Sequence, residues 1–139
     1  MTIGMIDDNH QLYVLNLKLS HNTHILIGKR EVYFSEGFYV YIGSGIRNIR
    51  KRVERHYKVE KRKHWHIDYI REYAEWLNAC TFPLGDGECA LKKLVQKATG
   101  GTVEVKKIGS SDCGCDSHFL KVTSPFQPCL LSAQPFTNS

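Results

Sequence analysis

From Leu12 to Leu19 the chain alternates strictly: Leu12, Val14, Asn16 and Lys18 fall on one side, and Tyr13, Leu15, Leu17 and Leu19 on the other. A period of two is that of a β-strand, and here the Tyr13 face is the more apolar. Ser20 to Thr23 reads as a turn. Ile25-Leu26-Ile27-Gly28 and Val32-Tyr33-Phe34 then form two short strands across a Gly-Lys-Arg turn. Ser35-Glu36-Gly37 turns the chain into Phe38-Tyr39-Val40-Tyr41-Ile42, an aromatic and β-branched run that ends at Gly43-Ser44-Gly45. The first third of the chain is therefore predicted to be an antiparallel meander.

The period then changes. Ile46, Ile49, Val53 and Tyr57 recur at helical spacing and form one narrow apolar stripe. Asn48, Arg52 and His56 lie four apart on a flank of that stripe, so three polar groups stand in a row beside the core. A second helix is predicted to open in Lys63-His64-Trp65-His66 and to run to about Asn78 on the stripe Ile67, Ile70, Ala74 and Leu77, with Asp68 pointing away. Cys80 to Gly87, with Pro83, Gly85 and Gly87, reads as a loop. A third helix follows from Glu88 to about Ala98 on Leu91, Leu94, Val95 and Ala98, stopped by Gly100-Gly101. Thr102 to Ile108 reads as a further strand, and Phe119 to Val122 as an edge strand. The expected fold is α/β of the α+β type: a small, mainly antiparallel sheet flanked by about three helices.

Composition narrows the class. The 139 residues suffice for one domain with a core that needs no disulfides. No stretch approaches the roughly 20 apolar residues of a membrane span. The start, MTIGMIDDNHQ, lacks the order of a secretory signal. Five cysteines without small-scaffold spacing fit a reducing compartment, so a cytoplasmic location is expected. The net charge is +5, and the cations are concentrated: Arg47, Arg50, Lys51, Arg52, Arg55, Lys58, Lys61, Arg62 and Lys63 crowd one short stretch. Such a run is either a solvated face or a phosphate-binding surface. Its start beside the Arg52 row favours the second reading.

The residues now carry a resemblance. Tyr41-Ile42-Gly43, followed by Arg52 and by His56 one turn on, resembles the second half of the GIY-YIG nuclease signature. GFYVYIGSG, KHWHIDYI, GECALKKL and GSSDCGCDSHF resemble, in this order, an uncharacterised branch of that superfamily, small domains sometimes fused to an endonuclease III-type DNA repair enzyme. The resemblance covers 11–122, leaving 1–10 as a loose lead-in and 123–139 as an irregular tail. The first GIY-YIG motif is altered: Gln11-Leu12 replaces Gly-Ile before Tyr13, and Tyr39 is a second candidate for that tyrosine.

The resemblance implies metal-dependent hydrolysis of DNA phosphodiesters, with a DNA-repair protein as partner and RNA as the other substrate class to test. Tyr13 or Tyr41 would orient or deprotonate the attacking water, Arg52 would clamp a phosphate oxygen through its planar fork, and His56 would accept a proton or bind phosphate. Glu88, on the first turn of the third helix, would hold one Mg²⁺ or Mn²⁺. Read without the resemblance, that carboxylate simply complements the helix N-terminus, worth about 0.3–1 kcal/mol. Arg47, Arg50, Lys51, Arg55, Lys61, Arg62 and Lys63 would contact nucleic acid.

Two motifs stay open. His64-x-His66-x-Asp68 invites a metal reading, but helical spacing spreads these side chains apart, which favours structural roles. Cys113, Cys115 and His118 offer three zinc ligands, with Cys89 or a second-helix histidine as a fourth. Alternatively, the Gly109-Ser110-Ser111 turn binds phosphate while the cysteines pack in the core. Two other functions compete with the nuclease: a non-catalytic nucleic-acid-binding module on the same fold, and a zinc-binding structural protein.

Overall fold

The computed structural model describes residues 3–109, 114–128 and 131. Its order is β1 (Leu12–Leu19), β2 (Thr23–Ile27), β3 (Arg30–Phe34), β4 (Gly37–Ser44), α1 (Ile49–Tyr57), α2 (His66–Arg71), β5 (Glu75–Phe82), α3 (Glu88–Thr99) and β6 (Phe119–Val122). Four strands form one antiparallel sheet in the order β5-β1-β4-β6, and β2 pairs with β3 in a separate hairpin. The expected α+β class, with a mainly antiparallel sheet and three helices, is what the chain adopts.

The alternation of β1 sorts two cores. Tyr13, Leu15, Leu17 and Leu19 pack with Ile49 and Val53 of α1, Ile67 and Ile70 of α2, and Ile25 and Phe34 of the hairpin. Leu12 and Val14, with Val40 and Ile42 of β4, pack against Leu91 and Val95 of α3 and against Phe126. With helices on both faces, β1 is buried on both sides and holds Asn16 fully buried. Asn16 compensates its burial by bonding the backbone of Phe126 in both directions, at 2.8 Å each, and Asn78 Oδ1 at 2.7 Å. Phe126 thus anchors the start of the segment read as an irregular tail.

The second helix is shorter than its apolar spacing suggests. It ends at Arg71, and Glu75–Phe82 forms β5, the outer partner of β1. The same Ala74 and Leu77 spacing suits either element; the unpaired edge of β1 decides it. Arg71 fixes the break, donating to the carbonyls of Ala74 and Tyr57 at 2.8 Å each. Consequently Cys80, Thr81 and Phe82 are strand rather than loop. Residues 3–6 run beside β5: Met5 N–H donates to Ala79 O at 2.9 Å, and Trp76 Nε1 to Ile3 O at 2.8 Å.

Two further expectations fail locally. Thr102 to Ile108 is not a strand; Thr102 makes a single bridge to Lys121, and the segment turns at Lys107, with φ 64°. Its apolar side chains are nonetheless drawn inward, Ile108 completely, which explains the misleading pattern. Ile46 is exposed and precedes α1, whose N-cap is Asn48, the Asn48 side chain accepting from Lys51 N. Among the described residues no helix is long and apolar enough to cross a membrane.

Candidate active site

One pocket of about 300 Å³ is lined by Tyr13, Tyr41, Gly43, Ser44, Arg52, His56, His64, Trp65, His66, Glu88 and Gly109. It joins the start of β1, the end of β4, α1, the entry to α2 and the first residue of α3. All five side chains singled out as catalytic or metal-binding, Tyr13, Tyr41, Arg52, His56 and Glu88, line it.

The β1–β4 register creates the space. Tyr13 pairs with Gly43, and a Cβ at Gly43 would lie 2.3 Å from the Tyr13 hydroxyl. Glycine therefore lets the phenol lie across β4 toward α1. There Tyr13 Oη meets His56 Nε2 at 2.7 Å, with both residues 2% exposed. Gly109 plays a similar part for Tyr41: its φ is +72°, a Cβ would sit 2.8 Å from the Tyr41 hydroxyl, and its N–H donates to His66 Nδ1 at 3.2 Å.

Burial sets the protonation states. Desolvation pushes His56 down to about 3 against the opposing pull of Asp68, so the imidazole is neutral at ordinary pH. The tautomer with its proton on Nδ1, which has Asp68 Oδ1 at 4.0 Å, lets His56 Nε2 accept from the Tyr13 hydroxyl. Burial also raises Tyr13 well above the usual phenol value, with Tyr41 and Glu88 adding to the rise and Arg52 opposing it. Tyr41 is raised too, by burial first and by Glu88 and Asp68 after it.

Arg52 is oriented by two contacts at the pocket wall. Its Nη1 donates to Ser44 O at 3.1 Å, and its guanidinium lies 4.6 Å from the centre of the Trp65 ring. Arg55 stacks on the same ring at 4.6 Å. It also grips Asp68 through two hydrogen bonds of 3.0 and 3.1 Å. Asp68, which the helical pattern had pointing away, is buried and accepts from the backbone N–H groups of His64 and Trp65 at 2.7 and 2.9 Å. Burial alone would raise its carboxyl, but Arg55 and these N–H groups hold it below the usual range. Trp65 and Asp68 are the functional neighbours that sequence periodicity missed. The signal was an Asp at the third position of a helix, where its carboxylate can reach back to the N-cap backbone N–H.

Glu88 opens α3, and its Oε2 lies 2.6 Å from His118 Nδ1. A single partly exposed carboxylate lining this pocket suits Mg²⁺ or Mn²⁺, which bind through few carboxylates and complete their shell with water and substrate oxygens. A second, softer donor set lies next to it: Cys89, Cys115 and His118 bring ligand atoms within 4.8 Å of one another. Of the cysteine-rich reading, Cys115 and His118 are thus brought together with Cys89, while Cys113, Ser110 and Ser111 lie outside the described residues.

The basic run divides. Arg50 pairs with Asp8 at 2.8 Å, and Lys63 with Glu72. Lys61 is 7% exposed, its ammonium donating to the carbonyls of Arg55, His56 and Lys58. Arg47, Lys51 and Arg62 are exposed, with no ion pair among the described residues. Arg47 and Lys51 line a cleft that shares Ser44 and Arg52 with the central pocket, and Arg62 lines one that shares His64 with it. Positive surface therefore leads into the pocket from two sides.

No curated protein sequence and no solved structure matches the chain. Residues 12–137 match the family described as Domain of unknown function DUF123, and the chain belongs to that family.

Proposed function

We propose that the protein is a metal-dependent endonuclease that hydrolyses phosphodiester bonds of DNA in the cytoplasm, acting on DNA delivered by a repair or processing partner. The observation that carries this reading is the 2.7 Å contact between Tyr13 Oη and His56 Nε2 in a pocket that also holds Arg52 and Glu88. A proton acceptor, a guanidinium and a carboxylate at one point match what phosphodiester hydrolysis needs. The similarity of Tyr41-Ile42-Gly43, Arg52, His56 and Glu88 to the GIY-YIG pattern adds to it.

Arg52 presents its remaining donors to a non-bridging phosphate oxygen, already oriented by Ser44 O and the Trp65 ring, so little reorganisation accompanies charge development. A water oxygen attacks phosphorus and the bond to the leaving oxygen breaks. The water proton passes to Tyr13 Oη as the Tyr13 proton passes to His56 Nε2, and the departing oxygen is protonated by solvent. This coupled transfer avoids a free phenolate, which burial disfavours at Tyr13. The resulting imidazolium faces Asp68, and an anionic phosphate bound nearby raises His56's affinity for the proton. A divalent cation bound through Glu88 would supply charge stabilisation at the phosphoryl and leaving oxygens. Arg47, Lys51 and Arg62 neutralise flanking phosphates.

The test is cleavage of labelled duplex, single-stranded, flapped and abasic DNA, and of RNA, with Mg²⁺, with Mn²⁺ and with chelator. Metal-dependent cutting of DNA is expected. Salt-sensitive binding without cutting under any condition would replace the nuclease by a nucleic-acid-binding module.

A further inference from the structure

We propose that Cys89 Sγ, Cys115 Sγ and His118 Nε2 form a zinc site that fixes the first turn of α3 to the segment leading into β6. The proposal does not depend on the nuclease reading. Cys115 and His118 are three residues apart, and Cys89 comes from a different element 26 residues earlier, yet all three ligand atoms lie within 4.8 Å of one another. For Zn–S of about 2.3 Å and Zn–N of about 2.0 Å, a tetrahedral ion needs donor-to-donor distances of roughly 3.5–3.8 Å. Cys89 Sγ and His118 Nε2 are 3.6 Å apart. The remaining separations are at most 4.8 Å, so closing the set takes shifts of about 1 Å or less.

The orientation of His118 supports an ion over mere packing of two thiols and a ring. Its Nδ1 lies 2.6 Å from Glu88 Oε2, and Ile42 N–H donates to the His118 carbonyl at 3.0 Å, so ring and backbone are both held. A proton on Nδ1, beside this carboxylate, leaves the Nε2 lone pair facing the sulfurs. This is the outer-shell arrangement that fixes the tautomer of metal-ligating histidines. Access is provided by a cleft lined by Cys89, Lys92, Lys93, Gly114, Cys115 and Asp116. Soft sulfur donors with one imidazole select zinc over magnesium or calcium. The ion would therefore hold Glu88 in place through the His118 ring, one residue removed from the metal, without Glu88 being its ligand.

The test uses the full chain, reduced and purified without chelator. Elemental analysis should find close to one zinc per chain. Replacing zinc by Co²⁺ should give a thiolate-to-cobalt charge-transfer band and the intense visible bands of a tetrahedral ion. Cys89→Ser with Cys115→Ser should abolish both. Glu88→Gln should keep the tetrahedral spectrum with about 10- to 100-fold weaker binding, the usual effect of an outer-shell change. A folded, reduced wild-type chain with neither zinc nor a cobalt–thiolate band would overturn the proposal, as would a band that survives in the double serine variant. Should that variant fail to fold, the wild-type spectrum and X-ray absorption for sulfur and nitrogen neighbours decide alone. Cleavage read in the same samples is independent: zinc without cutting retires the nuclease reading only, and cutting without zinc retires this site only.

Discussion

The Tyr13 hydroxyl meets His56 Nε2 at 2.7 Å although the residues are 43 positions apart, one at the start of β1 and the other near the end of α1. The contact exists because β1 and β4 pair with Gly43 opposite Tyr13, leaving no side chain between phenol and imidazole. Tyr13→Phe keeps the ring and removes the proton path. Cleavage should fall by about 10²- to 10⁴-fold, the span of general acid–base effects. Thermal denaturation should show a loss of only about 1–3 kcal/mol, from the buried His56 nitrogen left without its partner.

Acid should weaken the fold through His56. Its folded pKa, pushed to about 3 by burial, lies below the unfolded value of about 6.5. The unfolded chain therefore binds the proton first. The stability this group contributes is complete above pH of about 6.5 and is lost progressively as pH falls toward about 3. Asp68, also held low, acts in the same direction below pH of about 4. Urea midpoints across this range should fall with pH for the wild type and less steeply for His56→Gln; equal slopes would contradict the burial-driven shift.

Gly43→Ala tests the packing directly. The added Cβ meets the Tyr13 hydroxyl and ring atoms at 2.3–2.7 Å, so the phenol must move away from His56. Destabilisation of about 1–3 kcal/mol is expected, together with loss of cleavage. Because the atoms it meets belong to Tyr13, most of the stability cost should vanish when Gly43→Ala is combined with Tyr13→Ala, a non-additivity that a double-mutant cycle reads.

The cations should separate into two groups. Asp68→Ala leaves Arg55 without its carboxylate and should cost about 3 kcal/mol, the low end for breaking a buried pair because Arg55 reaches solvent. By contrast, Arg47→Ala, Lys51→Ala and Arg62→Ala should leave the melting temperature nearly unchanged. Each should lower the slope of log binding constant against log salt by about 0.9 on duplex DNA. Lys61→Ala, whose ammonium caps three carbonyls at the end of α1, should act on stability and leave that slope alone.

Elements whose pattern is set locally were legible. Leu12 to Leu19 alternates because both faces of β1 are filled from different cores, and Glu88 to Gly100 reads as a helix because Leu91 and Val95 face one core and Gly100 adopts the left-handed cap. Where a segment's fate depends on a distant edge, the pattern misled. Ala74 and Leu77 sit at helical spacing, yet the free side of β1 claims them for β5. Ile108 is buried and Val105 partly buried without a ladder, so apolar spacing there imitates a strand. The site was legible residue by residue through its resemblance to known motifs, but not its connections. Nothing in the local sequence ties Asp68 to Arg55 or stacks two arginines on Trp65; each depends on where α1 and α2 meet the sheet.

The most direct measurement of the central claim is single-turnover cleavage by Glu88→Gln beside the wild type, on the best DNA substrate with saturating Mg²⁺, with DNA binding measured in parallel in chelator. Glu88 lines the pocket, and Glu88→Gln keeps the side chain's size and the Tyr13–His56 contact while removing the charge that would hold the cation. The account predicts that cutting is abolished while metal-free binding stays within a few-fold of wild type. Cleavage by Glu88→Gln at the wild-type rate would contradict it, and would remove Glu88 and its cation from the reaction.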